Sequence, residues 1–303
     1  MKPIRLITAG TSLFIIAAAA AIAAEPPHPY FELLQEAENQ QATLRSSPLL
    51  YRIVKDERHY PRSWDSLAES GDGLYTWQDL STGEPTNSGG LVDDDGRPYV
   101  YLGGEFFVLE WEEQRRVLNQ FAVGPLAGSL FEVRVDGGES FATAQLAPAF
   151  RVERVPVTSM PTIDDYFTEW KSALAMMRFG ELSESADGST ITISQSAPLP
   201  GAARFRKSGG GAPHLESWSL MWNDPASEVF EATSWSTISG ITIPARMERL
   251  TVNEDDAVML MRTYQIKCLS ITSSQFEDFM RDGIGETIVS CRALFDDKTS
   301  EQE

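Results

Sequence analysis

The chain has 303 residues, of which 42% are hydrophobic, 23% charged and 10% aromatic. These fractions exclude disorder of the whole chain, because so many apolar and aromatic side chains can bury a large surface. The formal net charge of −19 argues against nucleic-acid binding, since such a surface repels phosphate backbones.

The first 24 residues have the three-part organisation of a secretory signal peptide. Met1–Arg5 is short and basic, and Leu6–Ala24 is apolar and rich in small residues. Ala21-Ile22-Ala23 fits the small-x-small cleavage pattern, and Glu25-Pro26-Pro27 then breaks any helix. We expect a periplasmic or secreted protein with no stable membrane span after cleavage. The alternative is that the leader stays as an N-terminal anchor.

The first half of the remaining chain predicts one helix followed by hairpins. Tyr30–Leu44 has apolar residues at helical spacing among Glu and Gln. Glu112–Phe121 fits either a strand or a short helix. Two pairs of apolar runs flank Gly-Gly turns and therefore indicate hairpins: Arg97–Leu102 with Glu105–Trp111, and Phe131–Val135 with Phe141–Leu146.

The second half predicts a helix and then a series of strands. Thr162–Phe179 is the helix, with Thr162 as its cap, Asp164 and Asp165 near its positive end, and Gly180 after it. A short helix is predicted at Ser274–Asp282. The alternating runs that predict strands are Ser189–Ser194, Ala203–Lys207, His214–Trp222, Val229–Ser236, Ile241–Val252 and Val258–Leu269.

Strands about ten residues apart, joined by short turns, are typical of an antiparallel meander. Helices before and within the meander make the class α+β. We expect a single domain over residues 25–295. The acidic segment Asp296–Glu303 is expected to be a disordered tail.

The sequence contains few candidates for a catalytic or metal-binding site. Neither Gly-x-Ser-x-Gly nor a P-loop occurs in it. Glu110, Glu112 and Glu113 could be acid–base carboxylates, but the edge of a solvated strand explains them as well. The two cysteines and three histidines lack metal-ligand spacing, so we expect no metal site. Because no standard catalytic signature is present, we also expect no catalysis.

Cys268 and Cys291 are the two cysteines. In an exported protein they could form a disulfide that closes a loop of about 24 residues and contributes roughly 3 kcal/mol. The alternative is two separate buried thiols.

Large apolar side chains recur on the predicted strands of the second half. They either form a core between sheet and helix, or line an apolar hollow for an acyl chain or apolar peptide, because Met is adaptable and Trp is broad. The residues expected to line such a hollow are Trp218, Leu220, Trp222, Trp235, Met247 and Met259.

The second half also resembles a known family. Helix Tyr166–Phe179 precedes several strands, the turn Asn223-Asp224-Pro225 and the run Ile238–Met247, in which a Gly-containing hairpin leads into Pro244-Ala245-Arg246. This order resembles the periplasmic lipoprotein carriers of the outer-membrane sorting system, the LolA/LolB-like half-barrel superfamily. The resemblance implies a strongly curved antiparallel sheet, an incomplete barrel, whose concave face is covered by helices. It further implies an apolar ligand between them, without cofactor or chemistry.

Three hypotheses follow for the function. The first is an exported half-barrel that binds a lipid or an acylated protein such as a lipoprotein. The second is a structural or interaction module of the cell envelope with a closed core. A cavity of about 300 Å³ or more would favour the first, and a filled interior the second. The third is a hydrolase, which would need a histidine near a serine or carboxylate in a cleft.

Overall fold

The computed structural model describes the chain in ranges that together hold four helices and 17 strands. These ranges are 29–60, 67–69, 75–78, 85–101, 103–120, 128–136, 139–146, 151–154, 162–196, 199–207, 212–221, 227–252 and 258–299. None of the four helices is both long enough and apolar enough to cross a membrane.

The helices are α1 (Pro29–Arg45), α2 (Ile163–Met176), α3 (Ser273–Arg281) and α4 (Ile284–Thr299). The strands are β1 (Leu49–His59), β2 (Leu67–Glu69), β3 (Tyr75–Gln78), β4 (Pro85–Val92), β5 (Pro98–Tyr101), β6 (Gly104–Trp111), β7 (Gln114–Gln120), β8 (Leu130–Asp136), β9 (Glu139–Leu146), β10 (Arg151–Arg154), β11 (Glu181–Glu184), β12 (Thr190–Gln195), β13 (Gly201–Lys207), β14 (Pro213–Met221), β15 (Ser227–Ile238), β16 (Ile241–Val252) and β17 (Val258–Ser270).

All strands belong to one antiparallel sheet that is centred on β1. Strands β11 to β17 pair in chain order, and β17 pairs with β1 along its whole length. On its other side β1 pairs with β6, which continues through β7, β8 and β9 to β10. The end of β1 also pairs with β5, which extends through β4 and β3 to β2. No described pair joins β10 to β11, so the barrel is incomplete.

One face of this sheet wraps around α1 and α2. A single hydrophobic core contains side chains from both helices and from ten successive strands, β12 to β17, β1 and β6 to β8. Laid flat, ten strands would span more than about 40 Å, because neighbours lie about 4.8 Å apart. Two helices can share a core with all of them only if the sheet curves strongly. The expected α+β class with a curved sheet is therefore confirmed.

A second core lies on the opposite, convex face, and the sequence did not predict it. Leu50, Phe107, Leu109 and Leu118 point away from α1 and α2 and pack against α3 and α4. Helices therefore cover both faces of β1, β6 and β7. Of the described helices, α1 and α2 lie on the concave face, and α3 and α4 lie on the convex face. This explains why Phe106–Leu109 is buried without alternation, as in a strand with a covered surface on each side.

Several boundaries differ from those predicted. Helix α2 ends at Met176, and Glu112 adopts a φ of 53° in the turn between β6 and β7, so the undecided segment forms strand β7. Helix α4 extends to Thr299, and the expected tail from Asp296 is therefore helical over its first four residues. A charged sequence can continue a helix once a buried residue such as Phe295 anchors the preceding turn. Residues 300–303 and the leader lie outside the described residues.

Candidate functional site: the concave face under helix α2

Helix α2 fills the concave face with aromatic side chains. Tyr166, Phe167 and Trp170 are fully buried. The ring of Trp170 lies 5.7 Å from that of Phe205 on β13, and the ring of Tyr166 lies 6.4 Å from that of Phe230 on β15. The helix is amphipathic, so its apolar stripe is placed against the sheet and its polar face is not.

The end of α2 approaches the sheet closely because two glycines leave room. A Cβ at Gly201 would lie 2.5 Å from both Met177 Cε and the backbone oxygen of Ser219. At Gly180, a Cβ would lie 2.7 Å from Cγ2 of Ile193. Side chains at these positions would push the end of the helix away from β12 to β14.

Replacing Gly201 by alanine should therefore lower the free energy of unfolding by about 1 to 3 kcal/mol, since the backbone oxygen of Ser219 cannot move aside as a side chain can. Gly285→Ala in α4 is the matched control: its Cβ would meet only Leu130 Cδ1 at 3.6 Å. That variant should be neutral or stabilising by up to about 1 kcal/mol. Urea denaturation measures both. Equal stabilities of the two variants would contradict the tight contact.

Ion pairs anchor the beginning of α2. The carboxylate of Asp164 accepts hydrogen bonds from Arg45 (2.7 Å), Gln41 (2.6 Å) and Arg115. Burial alone would raise the pKa of Asp164, but the guanidinium groups of Arg115 and Arg45 outweigh it and hold this pKa below its ordinary value. The carboxylate of Glu110 also pairs with both arginines.

A second polar contact joins the middle of α2 to β14 and β16. The carboxylate of Glu169 accepts hydrogen bonds from Nε1 of Trp218 (3.1 Å) and from Arg249 (2.7 Å), and Arg249 also pairs with Glu228 (2.8 Å). Burial raises the pKa of Glu169 despite Arg249 beside it. Partly buried ion pairs of this kind contribute little net stability, because desolvation offsets most of the attraction.

A small cavity lies beside these groups, between α2 and strands β15 to β17. Its volume is about 20 Å³, roughly the space for one water molecule. Carboxylates, one guanidinium and apolar groups line it: Asp165, Glu169, Phe230, Met247, Glu248, Arg249 and Tyr264. It is far smaller than the cavity that would favour a ligand-filled hollow.

The residues expected to line the hollow are distributed as follows. Trp218, Leu220 and Met247 are buried in the concave core. Trp235 is partly buried against the same core, and Met259 is half-buried near the beginning of β17. Trp222 lies outside the described residues. The sequence left open whether these side chains form a core with the helix or line a hollow; in the structure, Phe167, Trp170 and Leu174 of α2 pack in this space.

The sequence left open whether Cys268 and Cys291 pair; in the structure both cysteines are free. Cys268 packs against the concave core, whereas Cys291 is buried in the convex core. The sheet therefore separates the two sulfur atoms, and a bridge requires Cα atoms within about 7 Å. Burial raises the pKa of the Cys291 thiol to about 12, so this thiol is inert.

Of the carboxylates and histidines that bear on a hydrolase, Glu110 and His59 lie in ion-pair networks, whereas Glu112 and Glu113 do not within the described part of the chain. Glu110 is buried beneath two arginines, whereas Glu112 and Glu113 are exposed in a turn. His59 Nε2 lies 2.6 Å from Oε1 of Glu57, which also pairs with Lys55 and Arg262. Burial of Glu57 opposes ionisation, but His59 and the two cations lower its pKa to about 2.

No protein-family model and no curated protein matches the chain. Solved structures similar to it include the three described next. One is a DUF1329 family protein from Desulfovibrio piger, with 9% sequence identity, a TM-score of 0.38, and 82% of this chain and 98% of that chain covered.

The second is a putative outer membrane lipoprotein-sorting protein domain from Vibrio parahaemolyticus, with 9% identity, a TM-score of 0.37, and coverage of 82% and 97%. The third is a LolA superfamily protein from Nitrosomonas europaea, with 6% identity, a TM-score of 0.36, and coverage of 82% and 96%. The expected distant resemblance to this superfamily is thus found among solved structures. At these TM-scores it supports no statement about ligand or activity.

Proposed function

We propose that the chain is an exported, non-catalytic carrier of an apolar ligand, a lipid or an acylated protein, and that α2 occupies the ligand's place when none is bound. The observation that carries this proposal is the apolar concave face itself. It is filled by side chains of two helices, with α1 contributing a few and the amphipathic α2 contributing the large aromatic ones, rather than by side chains of the sheet alone. If α2 moved aside, Phe205, Trp218 and Phe230 would line an apolar hollow.

The contacts of α2 are compatible with such a movement. Its polar anchors, Asp164 and Glu169, pair with arginines that are themselves 22% to 38% exposed, so water can replace these partners at low cost. In addition, the indole N–H of Trp170 is buried without an acceptor among the described residues. An unpaired buried donor costs about 1 to 3 kcal/mol, which lowers the net stability of the helix in this position.

A second candidate is a structural or interaction module of the envelope with a permanently closed core. The filled interior favours it, since the cavity beside α2 holds only about 20 Å³. In that case α2 is an ordinary core helix, and its contacts with α1 and the sheet never open.

Weakening the anchor at the beginning of α2 separates the two candidates. We expect Asp164→Asn to raise the uptake of a fluorescent fatty acid severalfold, because the neutral amide loses its charge pairing with Arg45 and Arg115. Asp278→Asn, which removes an exposed ion pair with Arg281 on α3, is the matched control and should behave as the unaltered protein. Fluorescence titration measures uptake, and mass spectrometry of organic extracts identifies any co-purified lipid.

The carrier predicts lipid in the extracts and saturable uptake by the unaltered protein. Clean extracts together with absent uptake in both the unaltered protein and the Asp164 variant would reject the carrier and leave the closed module.

A further inference from the structure

A buried histidine lies where α1 meets the sheet. His214, at the beginning of β14, is 1% exposed. Its ring packs edge-on against Trp235 of β15, with 4.3 Å between the ring centroids. From α1, Nε2 of Gln40 donates a hydrogen bond to the backbone oxygen of Pro213 at 3.0 Å. The imidazole is thus buried against β15, and α1 is hydrogen-bonded to the residue that precedes it on β14.

The polar atoms at this contact are poorly satisfied. The ring of His214 interacts with the backbone of Ala212, but among the described residues neither of its nitrogens makes a hydrogen bond of normal geometry, and Oε1 of Gln40 has no partner there. A neutral imidazole tolerates such surroundings far better than an imidazolium, which must be hydrated or paired when it is buried.

The charged groups near His214 do not supply that pairing. On the sheet, the Glu216 carboxylate is already paired with Arg206, and Arg204 lies 4.0 Å from it. On α1, Glu36 already accepts a hydrogen bond from Gln40 at 2.9 Å. The side chains that approach from β15 and α2, Trp235 and Tyr166, are uncharged.

We propose that His214 makes the docking of α1 on the sheet acid-sensitive. A protonated ring would need contact with water. We expect water to reach the ring through the separation of α1 from β14, which breaks the Gln40–Pro213 hydrogen bond and moves the fewest groups. This proposal does not depend on the proposed ligand, although α1 also contacts α2 through the hydrogen bond between Gln41 and Asp164.

The direction of the pH dependence follows from burial. Burial lowers the pKa of His214, and Arg206 adds to this effect, while the nearby Glu216 and a backbone hydrogen bond with Ala212 oppose it only in part. The unfolded chain therefore binds this proton at a higher pH than the folded protein does. The contribution of His214 to stability is fully present above its ordinary pKa of about 6.5 and is lost as the pH falls below that value.

Hydrogen exchange of the full chain tests the proposal. Relative to β16, and after correction for the chemical exchange rate, amides of α1 should exchange about tenfold faster near pH 5.5 than near pH 7.5. His214→Phe keeps an aromatic ring against Trp235 but cannot take a proton, and it should abolish this difference. His59→Gln is the matched control, because His59 is partly exposed and paired with Glu57, and this variant should retain the difference.

Two results would overturn the proposal. The first comes from hydrogen exchange: the acid-induced increase in α1 exchange is equal in the unaltered protein and in His214→Phe, or it is absent from both. The other comes from NMR titration of the unaltered protein, which keeps the test valid if the Phe variant does not fold. There we expect a midpoint for His214 below its ordinary value, and a midpoint at or above that value would contradict a buried, unpaired ring.

Discussion

Replacing Arg116 by methionine is expected to lower the free energy of unfolding by about 3 to 5 kcal/mol, because it removes one partner of a buried charge pair. The Arg116 side chain is fully buried on the convex side of β7. Its guanidinium donates to Glu132 on β8 (2.5 Å), to the backbone oxygens of Phe279 and Asp282 at the end of α3, and to Oγ1 of Thr287 in α4 (3.0 Å).

This arrangement makes Arg116 the polar anchor of both C-terminal helices. The carbonyl groups at the end of α3 have no partner within the helix, and a cation there also interacts favourably with the helix dipole. Methionine fills a similar volume but leaves those backbone oxygens without their donor and removes one of the two arginines that pair with Glu132. Loss of the hydrogen bonds, rather than of packing, should therefore dominate the change.

Arg134→Met provides the control, because Arg134 pairs with the same Glu132 but its side chain is 35% exposed. We expect it to cost no more than about 1 kcal/mol. The double variant Arg116→Met/Glu132→Met should be more stable than Arg116→Met alone, since it removes a carboxylate whose remaining partner, Arg134, is partly exposed. Urea denaturation at neutral pH measures all three. A single Arg116 variant within about 1 kcal/mol of the unaltered protein would show that α3 and α4 dock without this guanidinium.

Alternation within a strand was readable from the sequence. Trp218 and Leu220 share a face of β14 and both are buried in the concave core, as expected. The same reasoning failed for β6, because Phe106–Leu109 is apolar at every position and a continuous run does not show which elements cover each face. The convex core therefore became visible only when α3 and α4 were placed against it.

For the same reason, the sequence did not show which distant segments of the chain lie close together in the fold. The spacing of Cys268 and Cys291 gives a plausible loop length, but it does not reveal that the sheet lies between them. Helix α4 was missed because Ile284–Thr299 mixes Gly285 and β-branched residues into a weak helical pattern. The helix Thr162–Phe179 was predicted, yet periodicity cannot tell whether a helix covers a hollow or fills it.

The distinction between covering and filling can be tested at Trp170. Trp170→Ala should lower the free energy of unfolding by about 3 to 5 kcal/mol, because it leaves a large void at the centre of the concave core. Trp170→Phe keeps most of the ring and removes the indole N–H that has no acceptor among the described residues. The gain from losing this donor offsets the lost volume, so we expect this variant to remain within about 1 kcal/mol of the unaltered protein.

If the concave face is a ligand site, the void left by Trp170→Ala should accept an apolar guest, as engineered apolar cavities do. Fatty acid uptake should then increase, and saturating fatty acid should restore part of the lost stability, because a ligand that binds only the folded state stabilises it. Phe276→Ala makes a comparable void in the convex core, where Phe276 packs edge-on against Trp111 at 5.5 Å. Uptake by both alanine variants would mean that any void binds the probe, and uptake by neither would mean that α2 never opens the concave face. Only an increase in fatty acid uptake that is confined to Trp170→Ala supports a carrier in which α2 occupies the ligand's place when no ligand is bound.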